Sequence, residues 1–411
     1  MSTSRQTPSG SAPAETAPHP VPAPSPTTGR PAPRVRLDFL DGLRGLCAVY
    51  IAFYHVHSMT AVGENVRTNW LIKIATLLTQ YGYYAVPVFI VLSGFCLMLP
   101  LARTTDGRFR GGVGQYLSRR ARRILPPYYF ALAAAILVAV LTAPLQRTAG
   151  GHWNVSLTLP ILLGHVFLLH DLFPQLGGGL DPPMWSVATE WQIYFFLPAF
   201  LLPLWRRWGP GAALAGAWAV GLLPLLLHPE FAESSHSWLL GLFAMGMTAA
   251  GINFPREPQR SARRHPWGVT ASVLFALLVG VLAAYGPPVQ ELWVTDVLTG
   301  AAASALLVYC TLFRSLQGPR PAPPVLRFLE SGALVSLGAF SYSLYLIHGP
   351  MLAILIFLLH GRVSGNSLLL LMVGMGLPLT LGASYLFYLC FERPFLNKRS
   401  AAARAKAEVV L

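Results

Sequence analysis

The sequence predicts an all-α fold, a polytopic membrane helix bundle of about ten transmembrane helices with both termini in the cytoplasm. Three observations predict it. Of the 411 residues, 54% are hydrophobic and only 11% are charged, which is more apolar than a soluble core requires. Ten apolar runs each approach the roughly 20 residues that a bilayer crossing needs. Basic residues fall mainly in alternate loops between these runs, as the positive-inside rule describes.

The ten runs follow one another from the first membrane boundary to the C-terminal segment. They are residues 43–62, 81–101, 126–145, 185–206, 210–227, 236–253, 267–285, 292–313, 338–360 and 367–391. A further apolar segment near 157–172 would break the alternation of loop charge if it crossed. We therefore predict a re-entrant or interfacial helix there, on the outer side.

The distribution of lysine and arginine sets the orientation. Of the 30 basic residues, 25 lie in loops on one side, four on the other, and Arg44 at the first boundary. Both termini are therefore expected in the cytoplasm, and the chain in the plasma membrane as a multi-pass protein. The net charge of +14 is explained by topology, so the lipid bilayer is an expected partner and nucleic acid is not.

Composition divides the chain into three parts. Residues 1–34 are rich in Pro, Ala and Ser and predict a disordered cytoplasmic tail. Residues 35–396 form the membrane domain, and residues 397–411 a basic cytoplasmic tail. The cysteines lie in apolar runs without CxxC or metal-ligand spacing, so we expect small core residues and no metal site; they are Cys47, Cys96, Cys310 and Cys390.

The first run carries a fixed cation and a titratable imidazole. Arg44 and His55 are eleven positions apart, so both lie on one helix face, about 16 Å apart along the axis. An ionisable side chain inside a span costs roughly 2.5 to 3.5 kcal/mol, so such residues usually face a cavity or a pathway. A snorkelling anchor explains Arg44 equally well, and a structural hydrogen bond is the alternative for His55.

A second basic group precedes the third run. In the sequence RRARR, Arg119, Arg120 and Arg123 fall on one side of a short helix, a spacing that suits paired donors for phosphate groups. A topological signal is the alternative explanation.

Two further ionisable residues lie inside predicted spans. Glu190 has Tyr194 one turn away, and His348 precedes Pro350 by two residues. Counted from the inner ends, His55, His348 and Glu190 lie at about 18, 15 and 22 Å of a roughly 30 Å core. One polar layer holding all three is therefore expected, although a satisfied core histidine remains the alternative for His348.

The second run ends in FIVLSGF. Ser93 and Gly94 permit close approach of a neighbouring helix, which by itself explains the motif. Ser93 is also a candidate substrate-binding residue.

Taken together, several motifs resemble the acyltransferase-3 family of integral-membrane O-acyltransferases. They are LDGLRG, the Arg44 and His55 pair, FIVLSGF, RRARRILPPYY, WSVATEWQIY, LGAFSYSLYLIH and FERPFL, and they occur in the family's order between about Leu37 and Leu396. Any one motif is weak, whereas the ordered set is specific.

The resemblance implies transfer of an acyl group, often acetyl, from acyl-CoA to a hydroxyl of a glycan, glycolipid or small glycoside. It implies acyl-CoA as a donor substrate, a carbohydrate or glycoside acceptor, and no permanently bound cofactor. His55, Glu190 and His348 become the catalytic candidates, with Tyr194 and Ser93 binding substrate. The donor-binding candidates are Arg44, Arg119, Arg120 and Arg123. Since acyl transfer needs a base near the attacking hydroxyl, His55 is assigned that role.

The chain departs from the family pattern at two places. Trp191 follows Glu190 where the family often has a carboxylate, and Ile347 and Gly349 flank His348 where it often has aromatic residues. These departures bear on which acceptor is preferred, not on the assignment of the catalytic residues. The chain is expected to lack the extracytoplasmic hydrolase-like domain of some relatives.

Two other kinds of function stay open at this point. A secondary transporter would use Arg44, His55 and Glu190 to bind substrate and relay protons. A catalytically inactive scaffold of the same fold is the other. Acceptor, acyl chain length and oligomeric state are not specified by the sequence.

Overall fold

The computed structural model describes most of the membrane domain. The described residues are 1–3, 37–60, 69–103, 107–149, 157–176, 180–253, 262–286, 293–316, 321–359, 361–363 and 365–396, without the side chains of 143–149 and 316. The predicted tails, apart from the first three residues, lie outside them. Everything below concerns the unit Leu37–Leu411, whose described regular structure is entirely helical.

Sixteen α-helices follow one another along this part of the chain. They are α1 (Asp38–Met59), α2 (Trp70–Thr79), α3 (Ala85–Ala102), α4 (Gly112–Ala149), α5 (Leu159–Val166), α6 (Trp185–Phe196), α7 (Leu202–Leu227), α8 (Pro229–Ser235), α9 (Leu239–Asn253), α10 (Trp267–Tyr285), α11 (Trp293–Leu316), α12 (Pro324–Leu329), α13 (Gly332–Ala339), α14 (Ser341–Leu359), α15 (Gly365–Leu371) and α16 (Leu377–Phe387). π-Helical turns join α6 to α7 (Leu197–Leu201) and α15 to α16 (Met372–Gly376), and a third (Tyr388–Glu392) follows α16.

Among the described residues, seven helical stretches are long and apolar enough to cross a membrane. They are Trp70–Ala102, Gly112–Thr142, Pro182–Leu227, Trp267–Tyr285, Trp293–Ser315, Ser341–Leu359 and Gly365–Phe395. The predicted count of ten is not confirmed. Helix α1 has 22 residues, but its arginine and histidines lower its hydropathy, and α9 has only 15 residues. The fourth and fifth predicted runs lie in one stretch, Pro182–Leu227.

The boundary between those two runs is visible as a break in α7. Gly209 has φ 87° and ψ −179°, a conformation that glycine adopts at low cost. Pro210 follows and has no N–H to continue the helical hydrogen bonds. The sequence therefore places the change of direction correctly, although the helix bounds run across it.

The third predicted run begins too late. Helix α4 starts at Gly112, fourteen positions before the expected start, and it continues through Pro126 and Pro127, the first two residues of the predicted run. The RRARR arginines therefore belong to the same helix as the third run, which fixes their directions relative to the other residues of α4.

Helix α3 packs closely against α9 through two glycines. A Cβ on Gly94 would lie 2.0 Å from the Phe243 carbonyl oxygen, and one on Gly246 would lie 1.9 Å from the Val91 carbonyl oxygen. No side chain fits at either position, so the packing role expected for Gly94 is confirmed.

The segment near 157–172 forms only the eight-residue helix α5, far short of a bilayer crossing. The Tyr128 and Tyr129 hydroxyls of α4 donate to the carbonyls of His165 and Val166, each at 2.8 Å. The segment is therefore held against α4 by its backbone, consistent with a re-entrant or interfacial position.

The cysteines are only partly core residues. All four are free: Cys47 and Cys310 are buried, Cys96 is half-buried, and Cys390 is exposed. The expectation is wrong for Cys390, because its apolar run presents that position outward, which hydropathy does not distinguish.

Candidate active site

Two histidines that the sequence separates by 293 positions meet in the bundle. His55 on α1 and His348 on α14 place Nδ1 and Nε2 3.1 Å apart, and their ring centroids are 4.8 Å apart. His348 is fully buried, whereas His55 is half-buried. The pair is thus closed on the α14 side and more accessible on the α1 side.

The backbone hydrogen bonds assign the protons of this pair. His348 Nδ1 lies 3.1 Å from the Leu344 carbonyl, so Nδ1 carries the proton and Nε2 is an acceptor. His55 Nδ1 faces that acceptor and lies 3.0 Å from the Ile51 carbonyl, so it also carries its proton. His55 Nε2 is then the unprotonated nitrogen, the atom able to accept a proton from a substrate.

Tyr345 connects this pair to the start of α6. Its hydroxyl donates to the Pro183 carbonyl at 2.7 Å and contacts the Ser186 hydroxyl. Its ring centroid is 5.7 Å from that of His348. The histidine on α14 is therefore held between α1 and the first turn of α6.

Arg44 lies at the other end of the same face of α1. Its Nη1 is 3.0 Å from Asp41 Oδ1, and its Nη2 is 3.1 Å from Cys96 Sγ on α3. Arg120 and Arg123 of α4 lie within electrostatic range of the same sulfur. Three guanidinium groups thus converge on the region around Cys96, and Arg120 Nε is buried without a hydrogen-bond partner among the described residues.

Arg119 is not part of this convergence. Its Nη1 donates to Gln115 Oε1, one turn earlier, at 2.7 Å. Three of the four arginines predicted to act together are brought close, and the fourth points elsewhere.

Glu190 lies near the arginines rather than the histidines. Its Oε1 accepts from the Tyr194 hydroxyl at 2.5 Å, and that hydroxyl lies 3.4 Å from Ser93 Oγ. Arg120 is within electrostatic range of Tyr194. The predicted Glu190, Tyr194 and Ser93 are therefore in contact, at the arginine end.

The register of α6 against α14 explains this placement. Ser186 meets Tyr345, and Glu190 lies within electrostatic range of Tyr342, so the two helices run antiparallel. Measured along the helix axes from the contact between Ser186 and Tyr345, Glu190 lies about 6 Å away in one direction and His348 about 4.5 Å away in the other. The polar groups expected in one layer are thus spread over about 10 Å along the helix axes, with His55 and His348 toward one end and Glu190 toward the other.

Glu392 is a buried carboxylate to which the sequence motifs assign no role. It is 2% exposed, and its Oε2 accepts from the Ser343 backbone N–H at 3.1 Å and the Ser343 hydroxyl at 2.5 Å. Ser343 lies in the first turn of α14, so the carboxylate stabilises the helix N-terminus that precedes His348. A carboxylate near the end of an apolar run was the sequence signal for it.

Beside α5, a polar cluster joins the 157–172 segment to α6. Asp171 accepts from Thr189 at 2.8 Å and from Gln192 at 2.7 Å, and burial raises its pKa to about 6. His165 and His170 stack with ring centroids 3.9 Å apart, and burial lowers the pKa of His170 to about 3. Among the described residues no three side chains of His, Cys, Asp or Glu converge as metal ligands.

The described part of the chain includes seven helical stretches long and apolar enough to cross a membrane, which fits a membrane-embedded protein. Residues 37–389 match the acyltransferase domain of the acyltransferase-3 family. The chain belongs to this family, as its motifs predicted, and is an O-acyltransferase. No solved structure matches it.

Three relatives illustrate the breadth of the family. The chain is 26% identical to the acyltransferase MdmB of Streptomyces mycarofaciens over 336 residues, covering 76% of this chain and 78% of the relative. It is 22% identical to the O-acetyltransferase OatA of Staphylococcus aureus over 338 residues, covering 76% of this chain and 50% of the relative. It is 26% identical to the peptidoglycan O-acetyltransferase OatA of Listeria monocytogenes over 188 residues, covering 44% of this chain and 27% of the relative. The chain thus spans half or less of the OatA proteins it matches.

Proposed function

We propose that this protein transfers an acyl group, acetyl in the first instance, from cytoplasmic acyl-CoA to a hydroxyl of a glycan, glycolipid or small glycoside. The contact between His55 and His348 carries the proposal, because it leaves one imidazole nitrogen free inside the bundle. The names of the OatA relatives support O-acetylation. The proposal includes ten membrane crossings in the plasma membrane, with both termini in the cytoplasm.

In the proposed reaction His55 is the general base. Its Nε2 takes the acceptor's hydroxyl proton while the oxygen attacks the thioester carbonyl. The tetrahedral intermediate then collapses, the carbon–sulfur bond breaks, and the leaving thiolate receives the proton from Nε2. His348 Nε2 accepts a hydrogen bond from His55 Nδ1 and so stabilises the imidazolium that forms between these steps.

The arginine end would hold the donor. Arg44, Arg120 and Arg123 supply charged, multidentate donors suited to the phosphates of CoA. The acyl-pantetheine arm would then extend along α1 toward His55. Glu190, with Tyr194 and Ser93, would orient the donor or the acceptor beside those arginines rather than act on His55.

The direct test is acyl transfer from radiolabelled acetyl-CoA in purified membranes that contain the protein. We expect His55→Ala to abolish transfer and to leave the thermal unfolding midpoint near that of the wild type. Arg207→Ala is the matched surface control, because Arg207 is exposed. Full transfer by His55→Ala would contradict the proposed base.

Two further measurements complete the test. Direct transfer leaves no label on the protein after a single turnover, whereas an acyl-enzyme mechanism leaves one. Mass spectrometry of glycans, lipids and glycosides from cells with and without the gene would identify the acceptor through one acyl increment.

A further inference from the structure

A large groove runs along a face of α1 that does not include Arg44 or His55. It has a volume of about 1370 Å³, which exceeds the several hundred to 1,000 Å³ of ordinary ligand sites. Helices α1, α10, α11 and α12 form its walls, and the start of α3 closes one end. The residues at its surface are almost all apolar, including Leu43, Leu306 and Phe328.

Helix α10 forms the outer wall and packs against the bundle mainly through α11. Of its 19 residues, Leu278 is the buried one, and Phe275 is 60% exposed. In a bilayer such a helix faces hydrocarbon on its outer side, so lipid has direct access to the groove beside it.

One end of the groove is basic. Arg263 and His265 line it, Arg264 is their neighbour, and the exposed Arg327 lies on α12, beside the lining residue Phe328. The Arg263 guanidinium donates to the Asn253 carbonyl, yet its Nε is buried without a partner among the described residues.

The turn that carries these residues is well built. Trp267 Nε1 donates to the Ala262 carbonyl at 2.8 Å, and His265 Nε2 lies 2.6 Å from Thr270 Oγ1. The guanidinium is therefore held in place at the groove entrance, where an anionic group can approach it.

The length of the groove indicates what fits. Helix α10 lines it from Trp267 to Leu278, which is about 17 Å. Half of a bilayer's hydrocarbon core is about 15 Å. The basic end and the apolar length of the groove together match one phospholipid of one leaflet, with its phosphate at Arg263.

We propose that the groove binds an anionic phospholipid from the leaflet on the Arg44 side of the membrane. The phosphate contacts Arg263, and an acyl chain lies between α1, α10 and α11. The site is separate from the proposed reaction, since neither His55 nor His348 lines it, and the proposal does not depend on acyl transfer.

Native mass spectrometry of the full-length protein in detergent tests the proposal, with dioleoyl phosphatidylglycerol and dioleoyl phosphatidylcholine as probes. We expect one phosphatidylglycerol to remain bound in preference to phosphatidylcholine. Ala276→Trp fills the groove and should abolish this adduct. Ala283→Trp is the matched control, because Ala283 is exposed on the same helix and does not line the groove.

Arg263→Gln tests the headgroup contact. We expect phosphatidylglycerol affinity to fall about fivefold, with little change for phosphatidylcholine. Arg207→Gln controls for the loss of one positive charge. Equal adducts in Ala276→Trp and Ala283→Trp would overturn the site, since the lipid would then be only annular. Preferential retention of an added polyprenyl phosphate over phosphatidylglycerol would overturn the phospholipid assignment.

Discussion

Replacing His348 tests whether the two histidines act as a unit. His348 is fully buried, so His348→Phe keeps most of the volume and removes both ring nitrogens: Nε2, which lies 3.1 Å from His55 Nδ1, and Nδ1, which bonds to the Leu344 carbonyl of its own helix. The imidazolium formed on His55 then loses that acceptor. A hydrogen bond to a charged group contributes about 1.5 to 3 kcal/mol, so we expect a decrease in kcat of about 10- to 150-fold.

His55→Ala should be more damaging, because general base catalysis contributes roughly 10²- to 10⁴-fold. The double variant should be no slower than His55→Ala, since His348 acts only through His55. His348→Gln, which retains an acceptor oxygen, should recover part of the rate. KM for the donor should change little in all of these variants.

The assay is steady-state transfer from radiolabelled acetyl-CoA in purified membranes, with thermal unfolding to verify that each variant is folded. The reasoning is refuted if His348→Phe is as active as the wild type. It is also refuted if His348→Phe abolishes transfer while His55→Ala leaves it largely intact, because His348 would then be the base.

Three further predictions concern the arginines, Glu392 and the stacked histidines. Arg120→Ala and Arg123→Ala should each raise KM for acetyl-CoA about 10- to 150-fold, because charged phosphate contacts are lost. The Arg119 guanidinium bonds to Gln115, so Arg119→Ala should change KM by no more than about twofold. Equal effects of all three variants would contradict the described convergence. Glu392→Ala should lower the free energy of unfolding by about 1 to 2 kcal/mol, because the cap of α14 is lost, and Glu392→Gln should be less affected. Thermal unfolding measures both variants. An unfolding curve of Glu392→Ala identical to that of the wild type would argue against this role. Because burial lowers the pKa of His170 to about 3 from an unfolded value near 6.5, the folded state disfavours its protonation, so the contribution of His170 to stability is present above pH 6.5 and falls by about 2 kcal/mol toward pH 5. Asp171, whose pKa burial raises to about 6, contributes in the opposite direction. His170→Gln should remove the His170 contribution from the pH dependence of the unfolding midpoint, and an unchanged pH dependence would speak against it.

Spacing along one helix was predictable, whereas contacts between helices were not. The eleven positions between Arg44 and His55 fix their shared face through the helical repeat. The contact between His55 and His348 depends on which helices are neighbours, and 293 positions of intervening chain carry no signal for it. The sequence identified both histidines as candidates and placed them at similar depths, but it did not specify that α1 and α14 are neighbours.

The position of Glu190 shows the same limit. Counting residues from a predicted membrane boundary placed it in the layer of the histidines, but an error of a few residues in that boundary shifts the estimate by a helical turn. The contact between Tyr345 and Ser186 sets the actual register. It places Glu190, together with its i+4 neighbour Tyr194, toward the arginine end, and this placement is defined only by the packed helices.

Two other features were readable and were not used. Gln115 lies four positions before Arg119, the spacing at which helical side chains pair, so the sequence already offered Arg119 a partner outside the arginine group. Glu392 directly follows the tenth apolar run, 367–391, so the rule that selected Glu190 reaches it only when it is extended to the residues that border each run. That extension would have identified the residue that caps α14.

The two ends of the site impose a direction on the proposed reaction. Arg44 and His55 are about 16 Å apart along one helix, with fixed cations at one end and a neutral base at the other. A donor that is highly charged at one terminus and carries its reactive thioester at the other, after a long flexible arm, matches that separation. An acceptor then has to reach His55 Nε2 from a side that α14 does not occupy, because His348 and Tyr345 already fill the α14 side. Access for the acceptor is therefore expected along α1, beyond His55, and bulky substitutions there should raise KM for the acceptor without affecting KM for the donor.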